Sequence, residues 1–352
     1  MTEPTAMTLP LPAFRAHDDR RSPRATHAAI LGVGSDVPST VVTNADLDKV
    51  LQTSDEWIRS RTGIRERRVL APGQATSDMA VAAAQRACAA AGLDGGDIEL
   101  IIVATVTPDH VLPSTAALVQ QRIGARRAAG FDLEAACTGF INALMTADAL
   151  VQAGSFRNAL VIGADAMTRV VDPASRETAV LFGDGAGAVV LGSGKGRARL
   201  LDHLVGMDGT GAETISIPAG GSRLPACEAS IAERRHYLRM EGREVFRFAT
   251  EVFPRTVSEI VTRNGYTLDD VALVVPHQAN LRILEAGAKR LGLPMDRLAV
   301  DLDLHANTGA GSIPLALDRA LREREIEPGK LVCLAGFGAG LSWGASLLRW
   351  DG

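Results

Sequence analysis

Aromatic side chains, paired cysteines, basic charge and long apolar runs are all scarce in this chain, and each shortage excludes something. Aromatics make up 4% of 352 residues, so the core must be filled by aliphatic and small side chains. The formal net charge is −4, where a nucleic-acid binder would show a basic excess. The four cysteines (Cys88, Cys137, Cys227, Cys333) form no CxxC pair and no Cys/His cluster with metal spacing, so no metal is expected. Their wide spacing suggests a reducing cytosol. No apolar run approaches the ~20 residues needed to cross a bilayer, so no membrane association is expected. Residues 1–26 lack the basic start and unbroken apolar stretch of a secretion signal and read as a flexible tail rich in Pro and charge.

What is present is small and apolar: 46% hydrophobic residues and 35 glycines. That is enough for a large, closely packed, layered α/β protein. The runs IELIIVATV (98–106), ALVIGADAM (159–167), AGAVVLGSG (186–194), VALVVPHQA (271–279) and LVCLAGFGA (331–339) predict strands covered on both faces. Their order recurs. LDGGDIELIIVATV answers to TLDDVALVVPHQ, FDLEAACTGF to VDLDLHANTGAG, ALVIGADAM to LVCLAGFGA, and AVVLGSG to ASLLRWDG, at offsets of about 170 residues. The pattern predicts two duplicated halves, 27–198 and 199–352, joined near GSGKGRAR.

Cys137 lies where a strand, GFDLEAA, gives way to a helix marked by Phe140, Leu144, Ala147 and Val151 and stopped by Gly154. The first part reads as a buried strand. A helix N-terminus favours a thiolate, and hence a nucleophile able to carry an acyl group. By position alone, an inert core cysteine fits as well. His277 ends the strand VALVV, where an α/β sheet presents its chemistry. Asn307 lies in the Gly-rich turn HANTGAGSIP, beside His305, a competing candidate. The other histidines, His110 and His236 among them, lack such a setting. A Cys, a His and an Asn together support one chemistry. The Cys holds an acyl group, and the neutral His and the Asn amide donate to a thioester oxygen and stabilise an enolate.

The motifs AACTGF, VVPHQANLRIL, HANTGAGSIPLAL, GFGAGLSWG, TSDEWIRSRTGIRERR and LFGDGAGAVVL, in their positions over about residues 28–350, resemble the β-ketoacyl-acyl-carrier-protein synthase III family. The resemblance implies a thiolase-like α/β fold of two βαβαβαββ halves in αβαβα layers. It implies a decarboxylative condensation of an acyl-CoA starter with malonyl-acyl-carrier protein by a homodimer, with no cofactor beyond the coenzyme A thioester substrate, and the cysteine usage places it in the cytoplasm. Carried over by position, Cys137 is the nucleophile, His277 and Asn307 the decarboxylation pair, and the Cys137 and Ala339 backbone amides the oxyanion hole. Trp57 and Arg176 would sandwich the adenine, with Arg61 and Thr62 beside them. Phe246, Asn280 and Arg282 would line the pantetheine tunnel. Glu177 replaces a Gly of some relatives, so the adenine end is expected to differ. Leu112 would close the acyl pocket across the dimer interface, and Arg247, Lys289 and Arg290 would dock the carrier protein. A starter-unit synthase of a polyketide pathway keeps the same chemistry. A degradative thiolase would need a second cysteine near the C-terminus, and a non-catalytic partner subunit would lack Cys137.

Overall fold

Residues 27–352 are described by the structure, a computed structural model. The tail expected over residues 1–26 lies outside them. Nine strands make the main sheet: β1 (Ala28–Asp36), β2 (Leu100–Ala104), β3 (Ala129–Leu133), β4 (Asn158–Ala166), β5 (Asp184–Ser193), β6 (Ala198–Met207), β7 (Val271–Pro276), β8 (Leu331–Gly338) and β9 (Ser342–Trp350). Their spatial order is β7-β8-β9-β6-β1-β5-β4-β2-β3.

From the middle outward the two sides match. On one side β1 pairs antiparallel with β5, β5 antiparallel with β4, and β4 parallel with β2, which is followed by β3. On the other, β6 pairs antiparallel with β9, β9 antiparallel with β8, and β8 parallel with β7. A parallel bridge from Val274 to Leu298 stands where the fifth strand would be. Only Ala29–Arg199 and Ile30–Ala198 join the two sides through β1 and β6.

Six helices place the site: α1 (Asp55–Thr62), α2 (Thr76–Ala91), α3 (Gly139–Gln152), α4 (Gly242–Arg263), α5 (Leu281–Leu291) and α6 (Ser312–Glu323). The helix α2 covers β1, β4 and β5 from outside, and α4, with α5 beside it, covers β6, β8 and β9. Between the two sides lie α3 and α6, each touching strands of both. This gives alternating layers of helix and sheet. The middle helices show why the sequence pattern forms them: Phe140, Leu144, Ala147 and Val151 are buried along α3, and Ile313, Leu315, Ala316 and Leu317 along α6. The chain is packed closely at this seam. A Cβ on Gly163 of β4 would stand 2.2 Å from the Ala310 carbonyl.

One expectation fails. The segment before Cys137 is not a buried strand: β3 is the edge of the sheet, paired only with β2, and Ala129, Gly130 and Phe131 are exposed. Its pattern looked buried because an edge strand can also carry apolar residues, and periodicity over five residues does not tell the two apart.

Candidate active site

Cys137 sits in a single helical turn, Ala136–Thr138, that runs directly into α3. Ala136 before it has φ +45°, and Ala306 before Asn307 has φ +59°. Non-glycine residues at positive φ persist only where the surroundings hold them there. Each of these strained residues stands immediately ahead of a chemically equipped one. A Cβ on Gly338 would lie 3.0 Å from the Cys137 sulfur, so the end of β8 backs directly onto the cysteine. The backbone N–H groups of Ala339 and of Cys137 itself are directed at that sulfur. Ala339 is not among the residues at positive φ, so its side chain costs the backbone nothing there.

The surroundings of the sulfur oppose the thiolate that the helix terminus favours. Burial pushes the Cys137 thiol up to about 12, the nearby Asp165 charge adds to the rise, and the two N–H groups oppose it without prevailing. Magnitudes explain the outcome. A helix terminus is worth at most ~2 kcal/mol, about 1.5 pH units, while full burial moves a group by ~3–5 units.

His277 follows β7 and is buried, its N–H donating to the Ala335 carbonyl at 2.7 Å. Its Nδ1 is 2.7 Å from Ser312 Oγ, the first residue of α6. The Gln278 N–H donates to the same Oγ at 3.4 Å. The consistent assignment has Ser312 accept from Gln278 and donate to Nδ1, which leaves Nε2–H toward the cavity. Burial pushes the imidazole down to about 3, so it is neutral at ordinary pH. The ring packs edge-on against Phe337, centroids 5.4 Å apart. Asn307 is also buried, and its Oδ1 accepts from the Gly309 N–H at 2.9 Å, leaving the amide N–H groups to donate. Its competitor His305 is tied to Asp301 at 2.8 Å.

Cys137, His277, Asn307 and Ala339 all line one cavity of 1390 Å³, as do Arg61, Glu177, Phe246 and Asn280. A thiol held up and an imidazole held down at one cavity do not favour a thiolate–imidazolium pair, and the neutral imidazole can donate to an oxygen.

Several candidates stand elsewhere. Arg176 and Arg61 stack on Trp57, their guanidinium carbons 4.8 and 5.0 Å from the ring centre. At 4.8 Å there is no room for a ring between Arg176 and Trp57 as they stand, so adenine enters that place only if the Arg176 guanidinium moves aside. Thr62 is buried at the end of α1, its hydroxyl donating to the Ile58 carbonyl at 2.7 Å, and is not a lining residue. Arg282 lies outside the cavity and donates to the Ser60 carbonyl at 3.1 Å. Leu112 does not line it either and is 86% exposed, next to Val111 at 97%. Arg247, Lys289 and Arg290 lie exposed on the adjoining α4 and α5, with Arg247 paired to Glu244 and Arg290 donating to the Thr250 carbonyl.

No sequence motif singles out Ser312, Gln278 or Asp165, which stand close to a strand or helix end, or His110 and His236; of these, Asp165, His110 and His236 line the cavity. Among the described residues, no group of His, Cys, Asp and Glu is placed to hold a metal ion, and no helix is long and apolar enough to cross a membrane.

Residues 131–209 match the family described as 3-oxoacyl-[acyl-carrier-protein (ACP)] synthase III, and residues 261–350 match its C-terminal part. A relative from Caldanaerobacter subterraneus subsp. tengcongensis, a β-ketoacyl-[acyl-carrier-protein] synthase III, is 47% identical over 92% of this chain and 98% of its own. The crystal structure of 3-oxoacyl-[acyl-carrier-protein] synthase III from Aquifex aeolicus is 40% identical, with a TM-score of 0.84 over 92% of this chain and all of that one. The priming β-ketosynthase of the R1128 polyketide biosynthetic pathway is 36% identical, with a TM-score of 0.85 over 94% of this chain and 99% of its own.

Proposed function

Because the chain belongs to the β-ketoacyl-acyl-carrier-protein synthase III family of thiolase-fold condensing enzymes, we propose that it transfers an acyl group from coenzyme A to Cys137 and condenses it with malonyl-acyl-carrier protein, initiating fatty acid synthesis. One observation carries the assignment of roles: Cys137, His277 and Asn307, from three separate turns, meet at one cavity with two backbone N–H groups aimed at the sulfur. Cys137 attacks the starter thioester, and the N–H groups of Cys137 and Ala339 receive the oxyanion. Coenzyme A leaves. His277 Nε2–H and the Asn307 amide then donate to the malonyl thioester oxygen while CO2 departs, and the resulting carbanion attacks the acyl-cysteine. The reaction uses the coenzyme A thioester as substrate and calls on no metal or redox group. The test is mass spectrometry of Cys137 after incubation with a panel of acyl-CoAs, then with malonyl carrier protein. Acylation on another residue, or none, overturns the proposal.

Two features support a homodimer. The edge strand β3 offers unpaired backbone groups, and Val111 and Leu112 are exposed beside Pro108, Asp109 and His110 at the cavity wall. In that assembly Leu112 reaches the partner's acyl pocket rather than its own. Leu112→Phe is then expected to move preference toward acetyl-CoA, and wild type to accept starters a few carbons longer. The preference is graded, since a methylene is discriminated by only ~1–3 kcal/mol. Competition between acetyl- and butyryl-CoA, read as acyl-Cys137 masses, checks it; an unchanged ratio in L112F shows that Leu112 is no gauge. The likeness to a polyketide priming synthase supports a second reading with the same chemistry and a dedicated starter.

For the carrier protein, Lys289→Glu is the cleanest charge reversal, because Arg247 and Arg290 are each engaged with a neighbour. The expected result is a raised KM for malonyl carrier protein, unaltered self-acylation, and an effect that shrinks at high salt. Equal loss in both half-reactions would place docking elsewhere.

A further inference from the structure

Asp165, the penultimate residue of β4, is fully buried and is used by neither half of the mechanism above. Its Oδ1 accepts from the Thr105 hydroxyl at 3.0 Å, the Val106 N–H at 2.8 Å and the Thr107 hydroxyl at 3.0 Å. Its Oδ2 accepts from the Ala310 N–H at 2.7 Å. The first three donors belong to the half that carries Cys137, and the fourth to the turn that carries Asn307. These partners are dipoles rather than cations, and burial holds the carboxyl up at about 6. A carboxylate in such a place is costly, and a core could be closed there with an apolar side chain.

What it holds is specific. Gly309, with φ +56°, lies directly against the carboxylate: a Cβ there would stand 2.2 Å from Oδ2. The Gly309 N–H is the group that fixes Asn307 Oδ1 at 2.9 Å, and Ala310, the next residue, is the one Asp165 grips. The backbone of Asn307 is anchored independently, its N–H to the Leu181 carbonyl at 2.9 Å and its carbonyl to the Gly183 N–H at 3.0 Å. The contact of Asp165 thus runs to the turn that holds the amide oxygen, and not to the backbone of Asn307 itself.

Resting on the roles proposed above, we propose that Asp165 is a positioning residue for the decarboxylation half-reaction, acting through the Gly309–Ala310 turn to orient the Asn307 amide toward the malonyl thioester oxygen. Asp165→Asn keeps the size of the side chain but offers one acceptor. The three donors at Thr105–Thr107 take it, and the carboxamide NH2 then faces the Ala310 N–H, donor against donor.

The test uses the whole chain with acyl-CoA and malonyl carrier protein. In D165N the decarboxylation kcat is expected to fall 10- to 100-fold with KM within about twofold, while Cys137 acylation stays at or above the wild-type rate. The double variant D165N/N307A is expected to decarboxylate no more slowly than N307A alone, because both act on one amide. Equal losses in acylation and decarboxylation, a wild-type decarboxylation rate in D165N, or independent losses in the double variant would each overturn the proposal. Gly309→Ala, which pushes on the same contact from the other side, is expected to give the same split, and it decides the matter if D165N does not fold. A wild-type decarboxylation rate in N307A would overturn the parent reading instead, and is distinguishable because it leaves D165N with nothing to act through.

Discussion

Cys137→Ala is expected to leave no acyl-enzyme and to lower condensation by roughly 10⁴- to 10⁶-fold, the range for removing a covalent nucleophile. Malonyl decarboxylation needs no sulfur and should survive in the same variant. The fold should survive too, since the thiol faces a cavity and the turn is held by backbone. Mass spectrometry and a decarboxylation assay check both halves, and condensation at wild-type rate by C137A would refute the mechanism. The thiol held up at about 12 adds a sign that can be tested. Thiolate is the alkylating form, so iodoacetamide labelling of the Cys137 peptide should keep climbing as pH rises past 9. A plateau below pH 8 would show a thiolate stabilised at rest by the helix terminus.

The second large effect divides the reaction. His277→Ala and Asn307→Ala should each retain Cys137 acylation and lose decarboxylation about 100-fold or more, since each removes one donor worth ~3 kcal/mol at the enolate oxygen. Wild-type decarboxylation in either variant would withdraw its assignment. The pH behaviour follows from the imidazole being pushed down to about 3 against an ordinary 6.5. The unfolded chain binds the proton that the folded site refuses. Stability is therefore whole above about pH 6.5 and is lost as pH falls toward 3. His277→Ala removes that linkage, so its melting temperature should drop less between pH 7 and pH 4 than that of wild type.

Much of this was legible in the sequence, for definite reasons. Continuous apolar runs gave β2, β4, β5, β7 and β8 because strands covered on both faces have no polar face to interrupt them. The helical spacing of Phe140, Leu144, Ala147 and Val151 gave α3, and Gly154, at φ +74°, lies just past its end. Cys137 and His277 were legible because chemistry on an α/β sheet gathers at strand ends, and Asn307 because its Gly-rich turn HANTGAGSIP answers, in the second half, to the segment that carries Cys137. The ionisation of Cys137 was not, because it depends on how much protein surrounds the sulfur, and sequence position reports only the local dipole. Ser312 and Asp165 were not legible either: each works through a partner at least 35 residues away, and no local pattern announces such a contact. The stacking of Arg176 on Trp57 likewise joins residues remote in the chain.

The near-mirror arrangement of strands has a consequence for how the chain can be divided. In the proposed roles, the nucleophile stands on one side of the seam and both decarboxylating donors on the other, while one oxyanion donor comes from each. Cut at the turn between β5 and β6, the chain would part Cys137 from half of its oxyanion donors and from both His277 and Asn307, so neither piece keeps a complete half-reaction. Registration between the two pieces rests on α3, α6 and a contact as close as that of Gly163 with Ala310. The alignment of these groups is thus a property of the joint between the two sides.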